Sequence, residues 1–189
     1  MTMDLRPAPL PGMWVAHTLA RRDERGSFSR VFCAEACAAI RPDLRFVQVN
    51  HSVTARRGTV RGLHLQRAPH AEAKLIRCLR GRVYDVAVDL RPDSPTYGRW
   101  HAVEMSEHNG VQVFIPEGCA HGFQAMEDDA QLLYQHTAAH VSGSEAGVRH
   151  DDPDLAIAWP LPVTLVSPRD AALPSFAEWS RPLHAGAVS

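Results

Sequence analysis

The chain has 189 residues, enough for one domain with a sizeable core and short for two. A formal net charge of −1 without long charge blocks argues against an electrostatic binder of nucleic acid or a membrane-surface protein. No apolar run reaches the roughly 18 residues of a membrane-spanning helix. The first 13 residues are proline-rich and lack the apolar core of a signal peptide, so the expected compartment is the cytoplasm. Cys33, Cys37, Cys78 and Cys119 form no CxxC pair and suggest packing in a reduced protein. Eleven histidines is a high count, which makes a metal site worth testing.

A single domain is expected over residues 1–189, opened by a loosely ordered arm at 1–13, because Pro7, Pro9 and Pro11 exclude helix and sheet interior. Residues 14–19 alternate as a first strand, and Asp23-Glu24-Arg25-Gly26 is a turn-forming cluster. The alanine-rich stretch 33–40 predicts a short helix stopped before Pro42. From Phe46 onward the pattern changes to short β-like runs at 46–53, 58–66, 74–80, 82–90, 99–105, 111–115, 122–125 and 131–137. Turn signals separate them, and this spacing with almost no helix argues for an antiparallel sandwich or barrel. Tyr84, Val86, Val88 and Leu90 alternate with Val83, Asp85, Ala87 and Asp89. After His140 the chain becomes loop-rich, and a C-terminal helix is expected around 171–179, weakened by Pro174.

The stretch Arg61-Gly62-Leu63-His64-Leu65-Gln66, with Lys74 opening the next run, is the best suited to chemistry. A neutral imidazole accepts a proton, and flanking cations suit an anionic ligand or a developing oxyanion. Taken alone, His64 reads more readily as a core histidine and Lys74 as an exposed strand-end lysine. Strict alternation places Arg61 and His64 on opposite faces, so a shared pocket requires an irregular strand. Gly62, between them, is the residue type at which bulges form.

Tyr134 shares a strand face with Leu132 and His136. With reference pKa values of about 10 and about 6.5, a phenol donates a proton at neutral pH and an imidazole accepts one. Such a pair on opposite walls of a cavity could remove a proton from one face of a substrate and return one to the other. By itself Tyr134 reads equally well as a half-buried aromatic. His121 is carried by the compact turn Ile115-Pro116-Glu117-Gly118-Cys119-Ala120-His121-Gly122-Phe123, where a metal ligand, a phosphate donor and a structural link all remain open. A metal reading would gather His64, His70 or Glu72, and His121, a set suited to Fe, Mn or Zn. Against it, Gln66 stands where a His-x-His pair needs its second histidine, and Lys74 sets a cation nearby. Asp170 is a carboxylate of the kind that orients an imidazole, although sequence distance does not show that it reaches His64.

Taken together, these blocks resemble the dTDP-4-dehydrorhamnose 3,5-epimerases. The resemblance runs from about Asp23 to Asp170. It is carried by Asp23-Glu24-Arg25-Gly26, Phe46-Val47-Gln48, Asn50-His51-Ser52, Arg61-Gly62-Leu63-His64, Lys74-Leu75, the Asp85 to Arg91 run and Ser94-Pro95-Thr96-Tyr97-Gly98. Ile115-Pro116-Glu117-Gly118, Ala120-His121-Gly122-Phe123, Tyr134, Glu145, Asp152-Pro153 and Trp159-Pro160 complete it. The resemblance implies an all-β fold, a double-stranded β-helix (cupin jelly roll) with a few short helices, that uses no metal or other cofactor. It also implies a nucleotide-sugar substrate and a homodimer with exchanged N-terminal strands.

On that resemblance His64 is the base beside a C4 ketone, Asp170 its partner, Lys74 the enolate stabiliser and Tyr134 the acid on the opposite face. Arg25, Gln48, Asn50, Arg61, His121 and Glu145 match substrate-contacting positions, with Arg61 suited to phosphate. Arg30 stands where the family usually has glutamate, His140 where it has a tyrosine that stacks on thymine, and Arg169 where lysine is common. The expected reaction is inversion of dTDP-4-dehydro-6-deoxyglucose at C3 and C5. The altered ligand-facing positions leave room for a C3-only epimerase, another nucleotide or another keto sugar. A metal-dependent cupin oxygenase or isomerase is the alternative from another class, and a non-catalytic sugar-nucleotide module would not need His64, Lys74 and Tyr134 together.

Overall fold

The computed structural model describes residues 3–184. In chain order the elements are β1 (Met3–Pro7), β2 (Trp14–Thr18), β3 (Arg21–Asp23), β4 (Gly26–Phe28), α1 (Ala34–Cys37), β5 (Gln48–Thr54) and β6 (Val60–Gln66). They continue as β7 (Lys74–Arg80), β8 (Arg82–Asp89), β9 (Trp100–Ser106), β10 (Val111–Ile115), β11 (Cys119–Ala125), β12 (Ala130–His136) and β13 (Glu145–Gly147), then α2 (Pro168–Ala171) and α3 (Phe176–His184). A six-stranded sheet in the order β1-β2-β10-β7-β12-β5 faces a five-stranded sheet in the order β13-β6-β11-β8-β9, with β3-β4 as a separate hairpin. These strand pairings are antiparallel, as the spacing of the runs predicts, and the architecture is the double-stranded β-helix that the family resemblance implies.

The central strands read as runs of apolar residues because both of their faces are covered. Between the sheets lies a cluster that includes Met13, Ile76, Val83, Ala87, Met105, Val113, Phe123 and Leu132. The opposite face of the five-stranded sheet, with Val86, Val88 and Leu90 of the β8 segment, packs under Leu155, Ile157, Trp159, Phe176 and Trp179 from the C-terminal segment. A third cluster of Met3, Ala16, Leu75 and Phe114, with Cys37 and Leu44 packed against them, covers the six-stranded sheet. Both faces of β8 are therefore buried, as its alternation of two apolar sets requires.

The prolines predict a loosely ordered arm over residues 1–13, of which 1 and 2 lie outside the described residues, and residues 3–13 do not form one. Met3–Pro7 forms β1, in register with β2 from Met3↔Thr18 to Pro7↔Trp14. Proline is tolerated because β1 is an edge strand, whose outer backbone positions need no partner. Leu10 and Met13 then turn into the core, fixed by Ala8 N–H to Met13 O at 2.8 Å. The predicted C-terminal helix is two helices, α2 and α3, separated at Pro174.

The loop after β8 is tied by one carboxylate. Asp89, fully buried, accepts from Arg91 Nε at 2.8 Å and Nη2 at 2.7 Å, from Ser94 Oγ at 2.5 Å and from Thr96 Oγ1 at 2.6 Å. Burial alone would raise its pKa, but these donors outweigh that cost and hold it at about 2 against 3.8. A depressed carboxyl stabilises the fold above its unfolded pKa and loses that contribution as the pH falls through its folded one. Asp89→Asn is therefore expected to cost on the order of 2 kcal/mol at neutral pH, with the deficit closing between about pH 4 and pH 2. Denaturant titrations of both proteins across that range measure it.

Candidate active site

A cavity of about 850 Å³ opens between the sheets, a volume typical of sites for small organic ligands. The six-stranded sheet contributes Asn50 and Ser52 from β5, Lys74 from β7, and Tyr134 and His136 from β12; the five-stranded sheet contributes Arg61, His64, His121 and Phe123. Residues Leu165 to Asp170 close one side.

Arg61 and His64 share this cavity because β6 is irregular where the sequence suggests. His121 pairs with His64 while Phe123 pairs with Arg61, so three steps on β6 oppose two on β11. The extra residue shifts the alternation by one and turns both side chains inward. At the bulge Gly62 has φ +123°, and a Cβ there would lie 2.5 Å from Gly122 Cα and 2.8 Å from His121 O. The Gly62 N–H donates to Asp170 Oδ2 at 3.1 Å.

The other oxygen of Asp170 accepts from His64 Nε2 at 2.6 Å. A carboxylate only accepts, so Nε2 carries hydrogen, and the lone pair of a neutral ring would be on Nδ1. Asp170 is presented by α2, where Ser167 caps the helix by accepting from Asp170 N–H at 3.1 Å and Pro168 opens the first turn. Burial raises the Asp170 carboxyl, but the hydrogen bonds from His64 and Gly62 outweigh it and hold it below its ordinary value.

His121 is buried and its Nε2 donates to Asp85 Oδ2 at 2.7 Å. Burial pushes its pKa down further than Asp85 raises it, which favours a neutral ring. The Tyr134 ring stands edge-on to His121 with centroids 5.7 Å apart. Burial, reinforced by the charge of Asp85, pushes the phenol above its ordinary pKa, so Tyr134 is a donor at neutral pH. Lys74 Nζ donates to the His64 carbonyl at 3.2 Å and pairs with Glu72 at 3.3 Å. Burial lowers its pKa against the opposing pull of Glu72, Asp85 and Glu145.

Beside Arg169, His140 N–H donates to Gln48 Oε1 at 2.9 Å, His140 Nε2 meets Glu145 Oε1 at 3.2 Å, and Arg169 Nη2 meets the same oxygen at 3.0 Å. Arg61 is braced by Thr54 Oγ1 and Val53 O, each at 3.0 Å. Asn50, Arg61, His121 and Arg169 thus line the cavity with the four residues singled out for catalysis; Gln48, His140 and Glu145 do not line it and are joined to it through Arg169. Arg25 and Arg30 do not line it. Arg25 sits at the exposed β3-β4 turn, ion-paired with Asp23 at 2.6 Å, and Arg30 meets Cys33 Sγ at 3.7 Å. The metal set does not assemble: among the described residues no three His, Cys, Asp or Glu side chains converge, and His64, His121 and His136 each face their own carboxylate.

The sequence reading assigned no role to Asp85, to His136 or, outside the metal set, to Glu72. Asp85 was detectable, since it stands on the β8 face shared with Val83 and Ala87, where a carboxylate requires a partner. His136 and Glu72 pair across 64 positions, at 2.9 Å, which no spacing rule reports.

The family model for dTDP-4-dehydrorhamnose 3,5-epimerase matches residues 7–178. The chain belongs to that family. A dTDP-4-dehydrorhamnose 3,5-epimerase of Sinorhizobium fredii is 45% identical over 157 residues, 82% of this chain and 80% of its own. A dTDP-4-dehydrorhamnose 3-epimerase of Streptomyces niveus is 42% identical over 169 residues, 89% of this chain and 81% of its own. Among solved structures, a 4-keto-6-deoxy sugar epimerase from the novobiocin biosynthetic gene cluster of Streptomyces spheroides superposes with a TM-score of 0.92 at 39% identity, covering 97% of this chain and 92% of that one. Family membership makes the chain an isomerase-class enzyme of dTDP-sugar metabolism. No helix among the described residues is long and apolar enough to cross a membrane.

Gly62→Ala tests whether the bulge builds the site. A side chain at that φ costs of order 1–3 kcal/mol before any clash is counted. Lower thermal stability together with a drop in turnover is expected, and unchanged values of both would detach the bulge from the site.

Proposed function

We propose that the protein inverts C3 and C5 of dTDP-4-dehydro-6-deoxyglucose, without a metal, by deprotonation beside the C4 ketone and reprotonation from the other face. The observation that carries this reading is the single cavity holding the His64–Asp170 pair, the Tyr134 phenol and the Lys74 ammonium. His64 Nδ1 takes the proton from carbon, and Asp170 stabilises the imidazolium that results. The electron pair moves onto the ketone oxygen, where Lys74 balances the enolate charge. Tyr134 returns a proton from the opposite wall. Arg61 and Arg169 suit the diphosphate, with Asn50, Gln48, His140, Glu145 and His121 completing the ligand contacts.

Inversion at C3 alone is the second reading, supported by the 42% identity to a 3-epimerase beside the 45% identity to a 3,5-epimerase. Incubation with dTDP-4-keto-6-deoxyglucose in D2O, followed by NMR, separates the two. Deuterium at both carbons is expected and should persist after treatment with EDTA; label at C3 alone selects the second reading. His64→Ala should slow exchange by about 10²–10⁴-fold, and an unchanged rate would remove His64 as the base.

A homodimer fits the same reading. The residues of β3 and β4 are all exposed, Val49 and Val53 lie exposed on the edge strand β5, and Val47 precedes it. Arg25 and Arg30, remote from their own cavity, would then serve a partner's through exchanged N-terminal segments. Light scattering should report twice the mass of one chain, and a monomer at working concentration would exclude this arrangement.

A further inference from the structure

Behind the catalytic groups lies a second polar assembly. Glu72 is almost fully buried, and its two carboxylate oxygens have different partners: Lys74 Nζ at 3.3 Å on Oε1 and His136 Nδ1 at 2.9 Å on Oε2. The far nitrogen of that ring, His136 Nε2, meets Asn50 Nδ2 at 3.3 Å. The four residues form a continuous line, Lys74–Glu72–His136–Asn50, with Lys74, His136 and Asn50 on β7, β12 and β5 of one sheet and Glu72 just before β7; Lys74, His136 and Asn50 all face the cavity.

The hydrogen positions along this line follow from one constraint. Glu72 is held below its ordinary pKa: burial would raise it, but His136 and Lys74 outweigh burial. It is therefore an ionised acceptor, and His136 Nδ1 must carry hydrogen. In the neutral ring Nε2 then carries a lone pair, and only the NH2 side of the Asn50 amide can meet it. The amide oxygen is thereby left for the ligand.

We infer that Glu72 is a positioning residue of this enzyme: one carboxylate anchors the Lys74 ammonium and, through His136, selects the face of the Asn50 amide that the substrate meets. Asn50 then offers an acceptor, suited to a hydroxyl or imide N–H of the nucleotide sugar. The kinetic consequence rests on the proposed role of Lys74, whereas the hydrogen placement does not.

The sign of the pH effect follows from what surrounds Lys74. Glu72, Asp85 and Glu145 favour its charge, burial opposes it, and the neighbouring imidazoles are His64, His121 and His136. An ammonium is lost as the pH rises through its pKa. Removing Glu72 takes away the largest favourable charge, so the ammonium should be lost at lower pH.

Two measurements test the inference. In the first, 15N NMR of the imidazoles with the dTDP-free protein should place hydrogen on His136 Nδ1 in the native chain and lose that preference in Glu72→Leu. In the second, the alkaline limb of the kcat–pH profile should move down by about one unit or more in Glu72→Gln. A native His136 protonated at Nε2, or an alkaline limb that stays in place while kcat falls equally at every pH, would overturn it. If Glu72 variants do not fold, His136→Leu and His136→Gln replace them, with dTDP affinity by calorimetry as the readout. Loss of one hydrogen bond corresponds to about ten-fold weaker binding in His136→Leu. Glutamine can donate to Glu72 and accept from Asn50, so His136→Gln should recover most of it; equal loss in both would also overturn the proposal. Absence of turnover by the native enzyme would count against the proposed reaction, while the NMR and calorimetric outcomes would still decide the role of Glu72.

Discussion

Much of the site depends on one carboxylate placed between a backbone amide and an imidazole. Asp170 joins the bulge at Gly62 to the ring of His64, so it binds a distant C-terminal segment to the one irregular point of β6. Remove that anion and the Gly62 N–H loses its acceptor while His64 loses the contact that fixes its tautomer. The cap at Ser167 and the proline at 168 serve the same end, since they start α2 where Asp170 must point inward. Backbone geometry and proton chemistry are here a single arrangement.

Around that contact the cavity follows a consistent electrostatic plan. Three imidazoles each have a carboxylate of their own, Asp170, Asp85 and Glu72, and each pair lies within 2.9 Å. Anions buried at the rear compensate cations at the front, so Lys74 can keep a charge in a place that disfavours it. The apolar clusters between the sheets and on the outer face of the five-stranded sheet fix the strands that carry these polar groups.

The strands were legible because their periodicity and turns are local properties. Residues 74–80 and 111–115 form strands with the limits that alternation and flanking turns predict, and Gly62 marked its bulge by residue type alone. His64, Lys74 and Tyr134 could be nominated from chemistry, but their convergence was not visible without the family resemblance. What local pattern could not convey was partnership over long separations, as between Glu72 and His136 or Gly62 and Asp170. The N-terminal prolines misled for the related reason that their cost depends on whether the strand is central or at an edge, which only topology decides.

The polar residues around Arg169 differ from this interior in how they are held. Gln48, His140, Glu145 and Arg169 are linked by hydrogen bonds and ion pairs at half-exposed or exposed positions, outside the three apolar clusters. Substitutions there leave the packing around His64 and Tyr134 undisturbed. The architecture therefore separates a buried interior from a loosely held surface network, so that if the proposed ligand contacts hold, related chains could diverge in the nucleotide or sugar they accept while keeping the same interior.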